Sequence, residues 1–191
     1  YNHTFVGKHI LTVGGDYMRD YLMSYQFANN GSKHQYTVDG FAQFDWNPTK
    51  YFNVITGLRF DYYSDSDINH FSPKLGLMYK IGNCSLRGSY AGGFRAPTLK
   101  EMYMNFDMAS IFMIYGNPDL KPETSHNFSL SAEYMKGRYN LTVTGFYNVV
   151  DNRITTAWSE ALKGQVYTNI SNIGISGAEA NASVKYPCGL K

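Results

Sequence analysis

The 191 residues suffice for one domain, and a formal net charge of only +2 removes the electrostatic case for a nucleic-acid partner. Charged residues make up 17% and aromatics 16%, with 17 tyrosines, a composition that suits a surface where apolar rings meet water, as at a membrane interface. Mean hydropathy is −0.35 and no apolar run reaches the ~18 residues of a transmembrane helix, which excludes helical spans but not a β-barrel.

The opening "YNHTFVGKHI" has neither the basic start nor the apolar stretch of a secretory leader, so the chain reads as mature protein or part of one. Period-two alternation then predicts strands over roughly 4–17 and 36–46. In the second, Tyr36, Val38, Gly40, Ala42, Phe44 and Trp46 share one face. Thr37, Asp39, Gln43 and Asp45 share the other, with Phe41 as the exception. A tight turn, "NPTK", leads to a strand over roughly 51–63, where Phe52, Val54, Leu58 and Phe60 oppose Asn53, Arg59 and Asp61. The connection "SDSDINH" (64–70) offers Asp65, Asp67 and His70 as metal candidates, because oxygens at alternate positions suit calcium. The plainer reading of that segment is a solvated polar loop.

Strands over roughly 71–80 and 84–95 follow, joined by "IGN". The connection 96–121 is long enough to demand a purpose. Its "TLKEMYMNF" suits a short helix, and its ends are stiffened by Pro97, which restricts Ala96, and by the Asn117-Pro118-Asp119 turn. Strands over roughly 122–136 and 138–150 are joined by "KG"; a connection at 151–164 leads to a last strand at 165–186, loosened by Gly174 and Gly177. Cys84 and Cys188 lack metal-ligand spacing, and a disulfide between them stays open.

Eight antiparallel strands with short turns at one end and long loops at the other describe an all-β transmembrane barrel wall. The polar face carries Arg59, Asp61, Arg87, Glu133, Glu179 and Lys185, which cannot enter a dry core. A soluble all-β domain with one wet face is the competing reading.

Two stretches carry a family resemblance: "FRAPTLKEMY" (94–103) and "GNPDLKPETS" (116–125), set among "GFAQFDWNPT", "YFNVITGLRFDYYS" and "YTNISNIGISGAEANASV". At this spacing the chain resembles, over about 36–186, the C-terminal barrel of TonB-dependent outer-membrane receptors. The resemblance implies a 22-stranded barrel in the bacterial outer membrane, with an N-terminal plug in its lumen. Its partners would be outer-membrane lipid, a TonB complex acting through the plug, and an imported nutrient. That nutrient would be an iron complex, siderophore or haem, with cobalamin as the alternative; no cofactor is implied. The sequence has neither plug nor TonB box and ends "YPCGLK" without a terminal aromatic, so residues 1–191 are expected to be part of the barrel domain.

The same resemblance gives Arg95 a role as a forked cation for a carboxylate on the ligand or plug. Haem-uptake members carry a His between the two motifs; positions 98–116 have none. Met102, Met104, Met108, Met113, Tyr103 and Tyr115 remain as candidate ligand contacts there. Met and Tyr can hold haem iron, and a Met-rich loop equally makes an apolar contact surface. No nucleophile–base or metal-hydrolase motif points to an enzyme, although a structural, adhesive or enzymatic barrel is the alternative from another class.

Overall fold

The computed structural model describes residues 2–5, 9–27, 31–65 and 67–185. Nine antiparallel strands form the wall: β1 (Asn2–Phe5), β2 (His9–Met23), β3 (Ser32–Trp46), β4 (Phe52–Tyr63), β5 (Ile68–Ile81), β6 (Cys84–Arg95), β9 (Glu123–Lys136), β10 (Tyr139–Asp151) and β13 (Ile173–Val184). Each pairs with its neighbour in that order, so the wall is an arc with β1 and β13 at its edges. Between β6 and β9 lie α1 (Leu99–Tyr103), β7 (Phe106–Met108) and β8 (Phe112–Tyr115); between β10 and β13 lie β11 (Arg153–Ser159) and β12 (Gly164–Ile170). These last four strands make a second sheet, in the order β11-β12-β8-β7.

The register confirms the predicted faces. Phe44, Thr56, Leu75, Tyr90, Phe128 and Tyr147 form one continuous row across β3, β4, β5, β6, β9 and β10. Trp46, Val54, Leu77, Gly88, Leu130 and Gly145 form the next. Large apolar residues of this face are exposed: Phe44, Trp46, Leu75, Leu77, Phe128 and Tyr147, with Leu130 at 68%. A face this broad and apolar is built for hydrocarbon rather than water.

The opposite face holds its charges in cross-strand pairs. Asp39 and Asp61 are register partners, and Arg59 bridges them at 3.2 and 2.9 Å. Arg87 meets Glu133 at 2.8 Å. Two phenyl rings also point inward, each over a cross-strand glycine: Phe41 over Gly14 and Phe146 over Gly177. A Cβ at either glycine would lie 2.6 Å from the ring, so glycine is what lets the ring lie flat on the strand. This accounts for Phe41, the exception in the alternation.

The expected strand at 165–186 is two strands, and residue 186 lies outside the described residues. The expected loop at 151–164 contains β11, whose hairpin with β12 rises above the wall. Asn152 causes the break: its φ of +54° puts a left-handed turn between β10 and β11. Asn169 then donates to the Asn152 carbonyl at 2.7 Å and fixes the bend. The first strand likewise begins as β1 and β2, and β2 runs to Met23, well into the expected 18–35 loop.

The wall is a single layer, so its residues have no core. The buried apolar residues Phe27, Ala96, Leu99, Met102, Met104, Leu120 and Ile154 all sit at the long-loop rim, as does the fully buried Pro97. Cys84 is exposed beside a short turn; its pairing with Cys188 lies outside the described residues.

Candidate functional site

The rim assembly is built on the last rung of the β6–β9 ladder, where Arg95 faces Glu123 in register. Arg95 Nη2 donates to Glu123 Oε1 at 2.8 Å, and its Nη1 spans both Glu101 oxygens at 3.1 and 3.0 Å. Glu101 is itself placed by a capping box on α1. Its backbone N–H donates to Thr98 Oγ1 at 3.2 Å, while its carboxylate accepts from the Thr98 N–H at 2.9 Å. Glu123 accepts a second bond from the Ile154 backbone N–H at 2.7 Å. One guanidinium thus joins a wall strand, the insert helix and the β11–β12 hairpin.

The electrostatics follow. The Arg95 hydrogen bond, aided by the Ile154 N–H, holds the Glu123 carboxyl below its ordinary range. The same two carboxylates push Arg95 further above its ordinary value. Its fork is therefore occupied by Glu101 and Glu123 of this chain, where a ligand or plug carboxylate was the expectation.

The second tie is an asparagine pair. Asn117 Nδ2 donates to the Tyr167 carbonyl at 3.0 Å, and its Oδ1 closes the turn by accepting from Asp119 N–H at 2.9 Å. Asn169 accepts from the Lys121 N–H and donates to the Lys121 carbonyl, both at 2.8 Å. β8 completes the join by pairing in parallel with β12, Gln165 against Ile114 and Val166 against Tyr115.

The third tie runs inward. Met104 bridges Phe27, and Asn105 N–H donates to the Gln26 carbonyl at 3.1 Å. Lys33 Nζ lies 4.0 Å from the Tyr103 ring centroid. Lys33 shares its β3 face with Gln35, Thr37 and Asp39, the inward face, so the insert folds across the lumen side of the rim. Gln35 and Thr37 are both buried there. Burial, with Asp65 beside it, pushes the Tyr103 hydroxyl up to about 12.

The candidate residues divide accordingly. Met102 and Met104 are buried and hold the insert together. Tyr103 and Tyr115 are half-buried, Tyr115 within the second sheet. Met108 is exposed at the β7–β8 turn, and Met113 is half-buried in β8. Asp65, Asp67 and His70 diverge: Asp65 toward Tyr103, Asp67 to the Tyr62 hydroxyl, and His70 stacked on Phe94 at 4.4 Å. Among the described residues no three His, Cys, Asp or Glu side chains converge as a metal site. Glu101, Glu123 and Asn169 escaped the sequence reading; the Thr98-to-Glu101 spacing was the one available signal.

Residues 1–189 match the family model for the TonB dependent receptor-like β-barrel. The chain is 31% identical over 157 residues to the iron-regulated outer membrane virulence protein of Vibrio cholerae serotype O1, covering 78% of this chain and 24% of that protein. It is 31% identical over 123 residues to hemoglobin and hemoglobin-haptoglobin-binding protein C of Haemophilus influenzae, covering 64% of this chain and 10% of that one. The fold superimposes on the crystal structure of the siderophore receptor PirA from Pseudomonas aeruginosa with a TM-score of 0.85 at 20% identity, over 95% of this chain and 37% of that chain.

Proposed function

The chain belongs to the TonB-dependent receptor β-barrel family, and from that premise we propose that it is part of the wall of an outer-membrane receptor that imports an iron complex. The family consists of transport receptors rather than enzymes. The chain spans about a quarter of the Vibrio relative, 24% of its length, so a plug and the rest of the barrel belong to the proposal and not to these residues. Energy from a TonB complex would enter through that plug.

The observation that carries the reading is the rim assembly. Family barrels need a mouth that captures a bulky solute, and here two loops form one ordered body pinned to the wall by Arg95. Its inner side is tied to β3, and its outer tip exposes Met108, Ile111, Trp158 and Leu162. Apolar, aromatic groups on a rigid base suit a large, partly apolar complex better than a small hydrated ion. Relatives named for iron regulation and for haemoglobin binding favour a siderophore or haem as that complex.

Direct binding tests this. The full-length receptor, purified in detergent, should bind ferric catecholate siderophore or haem at micromolar concentration or below. A variant lacking residues 100–113 should lose that binding while still folding as a barrel. Normal binding by the deletion variant would place capture elsewhere.

A further inference from the structure

Four buried side-chain oxygens have no hydrogen-bond partner among the described residues, and three of them belong to neighbouring rungs of the wall beneath the insert. These are Gln35 Oε1, Thr37 Oγ1 and Asp65 Oδ2; the fourth, Asn148 Oδ1, lies on β10. Gln35 and Thr37 are each only 5% exposed, so bulk water does not serve them. A buried acceptor without a partner carries its full desolvation penalty, and three at one place call for a shared partner.

The register explains the grouping. Asp20 on β2 is the partner of Gln35 on β3. On the other side the β3–β4 ladder runs to Thr37 and Tyr63. Beyond it the Ser64 N–H donates to the Tyr36 carbonyl at 3.0 Å, and the Tyr36 N–H donates to Ser64 Oγ at 2.9 Å. The next rung sets Asp65 across from Gln35. Asp20, Gln35 and Asp65 thus form one row over three chain segments, on the inward face that also carries Thr37 and Asp39. Register partners have Cβ atoms about 5 Å apart, close enough for both carboxylates to lean over the amide between them.

No cation of the chain answers these two acids. Neither Asp20 nor Asp65 is in a salt bridge among the described residues. Lys33, on the same face, directs its Nζ to the Tyr103 ring at 4.0 Å from the centroid, and Arg59 is held by Asp39 and Asp61. Asp65 lies beside the Tyr103 hydroxyl, so the insert closes over this row.

We propose that Asp20, Gln35, Thr37 and Asp65 hold a calcium ion that seats the insert on β3. The donors are all oxygens, two of them anionic, as a hard cation requires. They stand on side chains of different length from three segments, a set that adapts to the irregular shell of calcium at ~2.3–2.6 Å and poorly to the strict octahedron of magnesium at about 2.0–2.1 Å. Water from the lumen completes the shell. The ion removes the repulsion between Asp20 and Asp65, gives the three unpaired oxygens a common partner, and fixes α1 through Asp65 and Tyr103. Its role is independent of what the receptor imports.

Calorimetric titration of calcium chloride into the full-length receptor, refolded from inclusion bodies so that no lipopolysaccharide accompanies it, reads this directly. The wild type should bind calcium with a dissociation constant of roughly 0.1–1 mM, the range of extracellular sites, and magnesium more weakly. Asp20→Asn/Asp65→Asn should weaken calcium binding by about tenfold or more, and Gln35→Leu should weaken it while leaving both charges in place. Asp67→Asn, whose carboxylate accepts from the Tyr62 hydroxyl instead, should leave it unchanged. In the wild type itself, calcium should slow amide hydrogen exchange at 64–65 and 103–105 and not in β9 and β10, which decides the matter even if the variants fail to fold. No calcium binding by the wild type below about 10 mM, the result if water alone fills the row, would overturn the proposal, as would binding untouched by the double variant or exchange indifferent to calcium.

Discussion

Arg95 and Glu123 are both the last register pair of the β6–β9 ladder and an ion pair at 2.8 Å. The wall therefore ends in a salt bridge whose remaining donors and acceptors face loops. Replacing Glu123 with Gln should leave the barrel folded and loosen the rim. Arg95 would keep only Glu101, and the bond accepted from Ile154 would lose its charge. The expected cost is about 1 kcal/mol, at the low end for a charged hydrogen bond because the Arg95 side chain is 41% exposed. Limited proteolysis checks it: cleavage within 153–170 should quicken while the heat-modifiable mobility of the barrel is unchanged. No change in cleavage would show the bridge to be idle.

The pH response follows from the same residue. The Glu123 carboxyl is depressed by Arg95, so its contribution is fully present above the ordinary carboxyl value near ~4.3 and lost as pH falls through the lower folded value. Hydrogen exchange at the Ile154 amide, corrected for the intrinsic rate, should lose protection below that value before the wall amides do. Ile154 and the β9–β10 amides fading together would contradict it.

The outward face makes a stability prediction. An Arg at Leu141 or Val143 should destabilise the barrel by about 2–4 kcal/mol if near the midplane, whereas Thr142→Arg should be tolerated among Asn140, Glu133 and Asn181 on the inward face. Denaturant titration after refolding of the full-length receptor into lipid vesicles measures this. Equal costs at 141 and 142 would mean that the faces are misassigned.

Deleting residues 100–113 should leave membrane insertion intact, abolish uptake, and expose the β11–β12 hairpin to protease, because β8 keeps Ile114 and Tyr115 against β12 but loses its own first half, β7 and most of α1 behind it. Arg95→Gln should weaken uptake less than the deletion, since it removes one tie among several. A deletion variant that never reaches the membrane would make the insert a folding element instead.

The wall was legible in the sequence because its strands alternate over long runs, as from Tyr36 to Trp46 and from Tyr139 to Val149, with Phe41 and Phe146 as inward exceptions set over glycines. Side chains on a single-layer wall meet only lipid or lumen, so pattern alone fixes their faces. The rim was not legible, because its strands are short and their partners distant. β8 pairs with β12, and no local periodicity in "FMIY" or "GQVYTNI" announces that. Arg95 was read as a fork for a carboxylate outside the chain, while the partners it meets, Glu101 within the insert and Glu123 beyond it, come together only when the insert closes. The lone loop asparagine Asn152 looked unremarkable in the sequence and proved to be the left-handed residue that divides wall from hairpin.

Growth on defined iron sources tests import of an iron complex most directly. A strain lacking the full-length gene, starved of free iron, would be supplied with ferric siderophore, haem or haemoglobin as sole iron source, and separately with cobalamin as a required vitamin. Growth on at least one iron complex should be lost, restored by the wild-type gene and not by the form lacking residues 100–113, with cobalamin use unaffected. Undiminished growth on every iron source, with cobalamin use lost, would contradict it.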